Sequence, residues 1–262
     1  MPNIDQHPAG SFCWIELATT DQNAAKDFYG SLFGWSVRDT TMAPGDFYSM
    51  FEIEGRPVAA AYTLRPDAQS RGVPPYWMIY VAVDNADDSA RRATELGGKV
   101  MAGPFDVYDV GRMAAVQDPT GAAFSIWQAK QHIGAGIIGR DGTLCWADLT
   151  TPDPARAAEF YSGLFGWKLL TGEKDPSGYL HIKNGEAFIG GIPPIQHQIA
   201  GVPPHWMLYF QVADCDATAA QAKQLGATFR VPPMTMENVG RFAILADPQG
   251  ATFAIFQQSR SD

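Results

Sequence analysis

Two carboxylates stand at matching places in this 262-residue chain: Glu16 in CWIEL (13–17) and Asp148 in CWADL (145–149). Each follows a tryptophan by two positions, so on an extended strand Trp14 and Glu16 share one face, as do Trp146 and Asp148. A carboxylate beside an indole can act as a general base or a cation ligand, or it can simply accept hydrogen bonds. His205 is the imidazole that could join Asp148. It lies two residues before Met207 and so shares its face, while Tyr76 holds the corresponding place in the first half. Imidazole titrates near neutrality, which suits proton transfer. Glu16, Asp148 and His205 are therefore the candidate catalytic groups. The bland alternative is that both acids accept hydrogen bonds or pair with Arg112 and Arg241 of the two VGR triplets, since an unpaired buried carboxylate is costly.

The cysteines offer less. Cys13 and Cys145 alternate onto the helix-facing side with Ile15 and Leu17, which predicts a buried position rather than a nucleophile. Cys215 lies among aspartates, which raise a thiol pKa. No GxSxG, phosphate loop or dinucleotide fingerprint occurs.

The elements that must position these residues occur twice. CWIELATTDQNAAKDFYGSLFGW (13–35) returns as CWADLTTPDPARAAEFYSGLFGW (145–167), and PPYWMIYV (74–81) returns as PPHWMLYF (203–210). DPTGAAFSIWQ (118–128) likewise returns as DPQGATFAIFQ (247–257). Trp14 recurs as Trp146 but Pro74 as Pro203, so the offset drops from 132 to 129 and one short indel follows each LFGW. Two homologous halves result, 10–128 and 144–258, joined by a glycine-rich linker at 129–143.

Within each half the pattern restarts. Phe12–Ala18 alternates as a strand, and Asp21 caps a helix with Ala25, Phe28, Tyr29 and Leu32 at helical spacing and Gly34 as its stop. Two or three strands follow over roughly 46–64. Then come a strand at 77–83, a helix at 86–96, and strands to Trp127, the last two joined by an Asp118-Pro119-Thr120-Gly121 turn. The chain thus reads β-α-β-β-β four times, an α+β class. On the strand faces turned from the helices lie Trp14, Met78, Tyr80 and Trp127 in one half and Trp146, Met207, Tyr209 and Phe256 in the other. Such a lining suits a planar or apolar small molecule, or else it is plugged by its own side chains.

That organisation, with its FYxxxFGW and DPxGxxF text, resembles the vicinal oxygen chelate superfamily, which includes glyoxalase I, bleomycin-resistance proteins, fosfomycin-resistance enzymes and extradiol dioxygenases. More narrowly it is similar to the fused two-half glyoxalase-like proteins of actinobacteria. The resemblance implies cupped sheets built from βαβββ units and a divalent metal on their inward faces. Matched residue by residue, the metal-ligand positions fall on Trp14 and Trp146, Met78 and Met207, Ser125 and Ala254, and the runs 58–61 and 189–191. Indole, thioether and methyl groups do not ligate hard cations, so no metal or other cofactor is expected. A residual site on Asp148 and His205, with His181 in a strand of the third unit, is the alternative.

Composition bounds the partners. A net charge of −9 argues against nucleic acid or an anionic membrane face, and no apolar run reaches the roughly 20 residues of a spanning helix. The first ten residues lack the basic head and apolar stretch of a secretion signal, and three cysteines without a CxxC suit a reducing compartment. A cytoplasmic monomer or homodimer with a small-molecule ligand is expected. Three readings stay open: a metal-independent binder, a glyoxalase-like lyase, isomerase or oxygenase, and an interaction protein with inactive cups.

Overall fold

The computed structural model describes residues 3–172, 178–198 and 201–259. The first half contains β1 (Phe12–Thr19), α1 (Gln22–Phe33), β2 (Ser36–Ala43), β3 (Asp46–Ile53), β4 (Arg56–Thr63), the short α2 (Pro66–Ser70) and β5 (Tyr76–Ala82). It continues with α3 (Ala86–Glu95), β6 (Lys99–Val107), β7 (Gly111–Gln117) and β8 (Ala123–Ala129). The second half repeats it as β9 (Leu144–Thr150), α4 (Pro154–Phe165), β10 (Lys168–Thr171), β11 (Leu180–Asn184) and β12 (Ala187–Ile192). Then follow β13 (His205–Gln211), α5 (Cys215–Gln224), β14 (Thr228–Met236), β15 (Gly240–Ala246) and β16 (Thr252–Gln258).

Four βαβββ units are therefore present, as the sequence repeats require. Each half forms its own eight-stranded sheet, in the orders β2-β3-β4-β1-β5-β8-β7-β6 and β10-β11-β12-β9-β13-β16-β15-β14. The two units of one half meet through their first strands, β1 against β5 and β9 against β13, both antiparallel. The pairing of units, which the repeats alone left undetermined, is thus within a half. The strands after α1 begin earlier than the text suggested, because β2 starts at Ser36, directly after Trp35.

Local signals explain the helices. The Asp21 side chain accepts the Ala24 N–H, and Gly34 ends α1 at φ 72°, a left-handed conformation that costs glycine little. Asp153 caps α4 in the same way, with Pro154 at the first helical position, where no backbone donor is lost. No helix among the described residues is long and apolar enough to cross a membrane.

The helices lie outside each sheet but inside the molecule, with α1 packed on α5 and α3 on α4. One apolar core spans both halves, joining Phe28, Tyr29 and Trp77 to Phe210 and Phe253. Polar bonds thread through it. The Tyr29 hydroxyl donates to Asp247 Oδ2 at 2.9 Å, and the Tyr161 hydroxyl donates to Asp118 Oδ2 at 3.0 Å. The Trp77 and Trp206 indoles donate to those same tyrosine oxygens. Trp35 and Trp167 donate to the carbonyls of Gly142 and Gly10. The other oxygen of each aspartate closes its turn, Asp118 Oδ1 accepting from the N–H groups of Thr120, Gly121 and Ala122. The FYxxxFGW and DPxG residues are hence the joint between the halves.

One facing expectation fails. The register of β1 against β5 shifts between Phe12 and Trp14. Phe12 therefore joins Ile15 and Leu17 in the helix-side core, while Cys13 packs with Trp14, Tyr80 and Trp127 on the opposite face. Strict alternation put Cys13 on the helix side, and a bulge moves it across. A like shift follows Tyr209 opposite β9.

Candidate functional site

On the sheet face turned from the helices, each half builds the same polar knot. Trp14 lies opposite Tyr80, and Glu16 opposite Met78. Glu16 accepts from the hydroxyls of Tyr48 at 2.6 Å and Tyr80 at 2.5 Å, and from the Trp14 indole at 3.3 Å. The Trp14 indole also reaches the Tyr48 oxygen at 3.1 Å. In the second half Trp146 lies opposite Tyr209, and Asp148 opposite Met207. Asp148 Oδ1 accepts from Tyr179 and from the Trp146 indole at 3.0 Å, while Oδ2 accepts from Tyr209 at 2.9 Å.

Hydrogen-bond acceptance, rather than pairing with arginine, satisfies both acids. Arg112 instead forks onto Asp87 at 2.6 and 2.8 Å, and Arg241 onto Asp216 at 2.7 Å through each contact. Each fork ties a strand to the first turn of the helix before it, so the expected arginine partners are structural. Burial pushes both carboxyls above their ordinary pKa. The tyrosine and tryptophan donors work against that rise, as does His181 beside Asp148. The four phenols are raised in turn, by burial first and then by the neighbouring acid.

The two knots differ by a matched exchange. Across β1, β4 and β3 one row reads Glu16, Ala60, Met50; across β9, β12 and β11 it reads Asp148, Gly191, His181. Aspartate is one methylene shorter than glutamate, so Tyr179 must come closer to the sheet to reach it. A Cβ on Gly191 would stand 2.1 Å from the Tyr179 hydroxyl oxygen. Glycine there is what lets the shorter acid keep its tyrosine.

The remaining expected residues divide. Met78 and Met207 flank the acids, while Trp127 packs with Trp14 and Tyr80 in the first cup. Phe256 stands on β16 beside Tyr209's strand, opposite Phe242 of β15. His205 is on the right face of β13, but its Nδ1 lies 2.8 Å from the Pro203 carbonyl and it makes no hydrogen bond to Asp148 among the described residues. Burial lowers its pKa. The Cys145 thiol, pushed up to about 12 by burial, contacts the Tyr209 carbonyl and is no ready nucleophile.

Sequence reasoning missed Tyr48 and Tyr179, although each lies on or just before the third strand of its unit, and it passed over His132 in the segment between the halves. Two surface hollows, of about 370 and 280 Å³, lie at the start of α1 and against α4. Neither touches a carboxylate knot nor gathers a reactive set, so the knots mark the candidate site.

The family model described as Glyoxalase/Bleomycin resistance protein/Dioxygenase superfamily matches residues 11–126 and 143–255. The chain belongs to this superfamily. It is 41% identical over 263 residues to "Putative glyoxylase CFP32" of Mycobacterium tuberculosis, covering 98% of both chains. It is 33% identical to the anthracycline biosynthesis protein DnrV of Streptomyces peucetius, covering 95% of this chain and 93% of that one. Among solved structures, a Mn(II)-bound glyoxalase from Novosphingobium aromaticivorans superposes with a TM-score of 0.66 at 15% identity, over 95% of this chain and 82% of that one. Homoprotocatechuate 2,3-dioxygenase from B. fuscum gives 0.67 at 14%, over 98% and 73%. These two likenesses concern the fold.

The superfamily's usual metal does not fit the residues on these faces. The positions that the family resemblance assigns to its ligands carry Trp14, Met78 and Ser125 in one half and Trp146, Met207 and Ala254 in the other. Both acids already serve as acceptors for two phenols and an indole. Among the described residues no three His, Cys, Asp or Glu side chains converge. Indole N–H is a donor with no lone pair to offer a cation.

Proposed function

We propose that the chain is a metal-independent member of the superfamily that binds a small planar, largely apolar molecule in an aromatic-lined cup. The observation that carries this reading is the repeated knot of one carboxylate, two tyrosines and a tryptophan on an otherwise apolar sheet face. Its polar atoms satisfy one another, so it holds the aromatic rings in fixed orientations instead of holding a cation. Flat, pre-oriented rings bind planar molecules at little entropic cost. The relative named for anthracycline biosynthesis agrees with an aromatic ligand class. A thermal screen of chelator-treated protein against planar aromatic compounds tests the reading. A concentration-dependent rise in melting temperature is expected; no rise with any compound, and a rise only after a divalent metal is added, would each overturn it.

A second reading, proton abstraction with Asp148 as general base, draws on its burial-raised pKa. It requires turnover by the metal-free protein that Asp148→Asn abolishes while ligand binding persists.

A further inference from the structure

The glycine-rich segment 129–143 is packed into the first cup. Ala135 N–H donates to the Cys13 carbonyl at 2.7 Å, and Gly136 N–H donates to the Pro57 carbonyl at 2.7 Å. A Cβ on Gly134 would lie 2.2 Å from the Cys13 carbonyl oxygen, and its φ is +105°, so only glycine fits so close an approach. The His132 ring stands edge-on to Trp14, with centroids 4.7 Å apart, and lies 5.9 Å from Trp127. The Trp127 indole donates to the His132 carbonyl at 2.8 Å. Ala135 and Ile138 complete the apolar cluster, and Trp14, Tyr80 and Trp127 are left at most 6% exposed.

No equivalent segment covers the second cup among the described residues. Trp146, Tyr209 and Phe256, the counterparts of those three rings, are all partly open, and so is Cys145, where Cys13 is fully buried. Phe188, the counterpart of Pro57, is 53% exposed, and Val239, the counterpart of Val110, is 46% exposed. The row beside Trp146 also carries His181, where the first half has Met50. His181 contacts the rings of Trp146, Tyr179 and Phe188 and makes no hydrogen bond among the described residues.

We infer that ligand binding is confined to the second cup, one molecule per chain: the first cup is permanently occupied by the chain's own segment, and His181 is the polar group that orients the ligand. The inference rests on the reading of the preceding section and deepens it. The first cup shows what such a face accepts, namely a flat ring edge-on to one tryptophan, followed by small aliphatic groups. Among the described residues the matching face in the second half carries Trp146, Tyr209 and Phe256 without such an insert. The ligand class that fits is a neutral fused-ring aromatic molecule bearing a hydroxyl or carbonyl within reach of the His181 imidazole.

The test is fluorescence titration of the full chain with 1-aminoanthracene, a neutral three-ring probe with one hydrogen-bonding group. One probe per chain is expected, with affinity lowered at least tenfold by Phe256→Ala and severalfold by His181→Leu. Met50→Leu, at the first-half counterpart of His181, should leave affinity unchanged. Two probes per chain, or loss of binding on Met50→Leu with His181→Leu silent, would overturn this inference while leaving the binding reading intact. Absence of binding by this probe and by the wider aromatic panel would instead sink the reading on which it rests.

Discussion

The Tyr29 hydroxyl donates a hydrogen bond to Asp247, a residue 218 positions away in the other half of the chain, and the Tyr29 oxygen in turn accepts the Trp77 indole N–H. The bond is mirrored by Tyr161 with Asp118 and Trp206. Both sets are buried, so losing the hydroxyl strands a carboxylate oxygen and an indole donor together. We expect Tyr29→Phe and Tyr161→Phe each to cost about 1–3 kcal/mol in urea denaturation. The wild type should unfold in one transition, because a single core spans both halves. Separate transitions for the halves would contradict this.

These bonds also explain how much the sequence disclosed. The repeated tyrosine, tryptophan and aspartate were conspicuous because they have unusually strict partners, so the fold could be read from them. Their partners lie in the other half, and no local pattern reveals that. The acids Glu16 and Asp148 were found from their spacing to tryptophan. Tyr48 and Tyr179 were not, since they come from β3 and from just before β11, and only the strand order β3-β4-β1 and its repeat brings them over. The facing of Cys13 was misread because a bulge leaves no mark in a hydropathy pattern.

The exchange of Glu16 with Ala60 for Asp148 with Gly191 is testable as a coupled pair. Gly191→Ala alone should push Tyr179 off Asp148 and cost about 1–3 kcal/mol, the range for forced overpacking. Adding Asp148→Glu should recover part of that loss by recreating the first-half pair. Purely additive destabilisation in the double-mutant cycle would show that the two exchanges are independent.

Ionisation of Asp148 opposes folding, because its folded pKa is raised above the ordinary 3.8 by burial. The folded state therefore holds the proton at pH values where the unfolded chain has released it. Stability from this group is fully present below the unfolded pKa and falls as pH rises through the folded one. We expect the stability difference between wild type and Asp148→Asn to favour wild type increasingly as pH drops from 7 toward 4. A difference independent of pH over that range would show that the carboxyl titrates as it does in the unfolded chain.

His132 gives the opposite sign. Burial lowers its pKa from 6.5 to about 4. Its contribution is whole above 6.5 and is lost as pH falls toward 4, where the imidazole must charge beside Trp14 and Trp127. Each tenfold loss of proton affinity corresponds to about 1.4 kcal/mol, so the ceiling on this contribution is about 3.5 kcal/mol. The protection factors of the Ala135 and Gly136 amides, measured against intrinsic rates at each pH, should fall over this window, and His132→Gln should remove the fall. Protection factors at these amides that fall no more than those of core strands would refute this role for the segment.

The claim that the cups work without a metal is tested most directly by calorimetric titration of chelator-treated protein with an aromatic compound from the thermal screen, repeated after one equivalent of Mn(II). We expect the same Kd and the same stoichiometry in both titrations. Binding seen only after Mn(II) is added, or tightened tenfold by it, would contradict that claim.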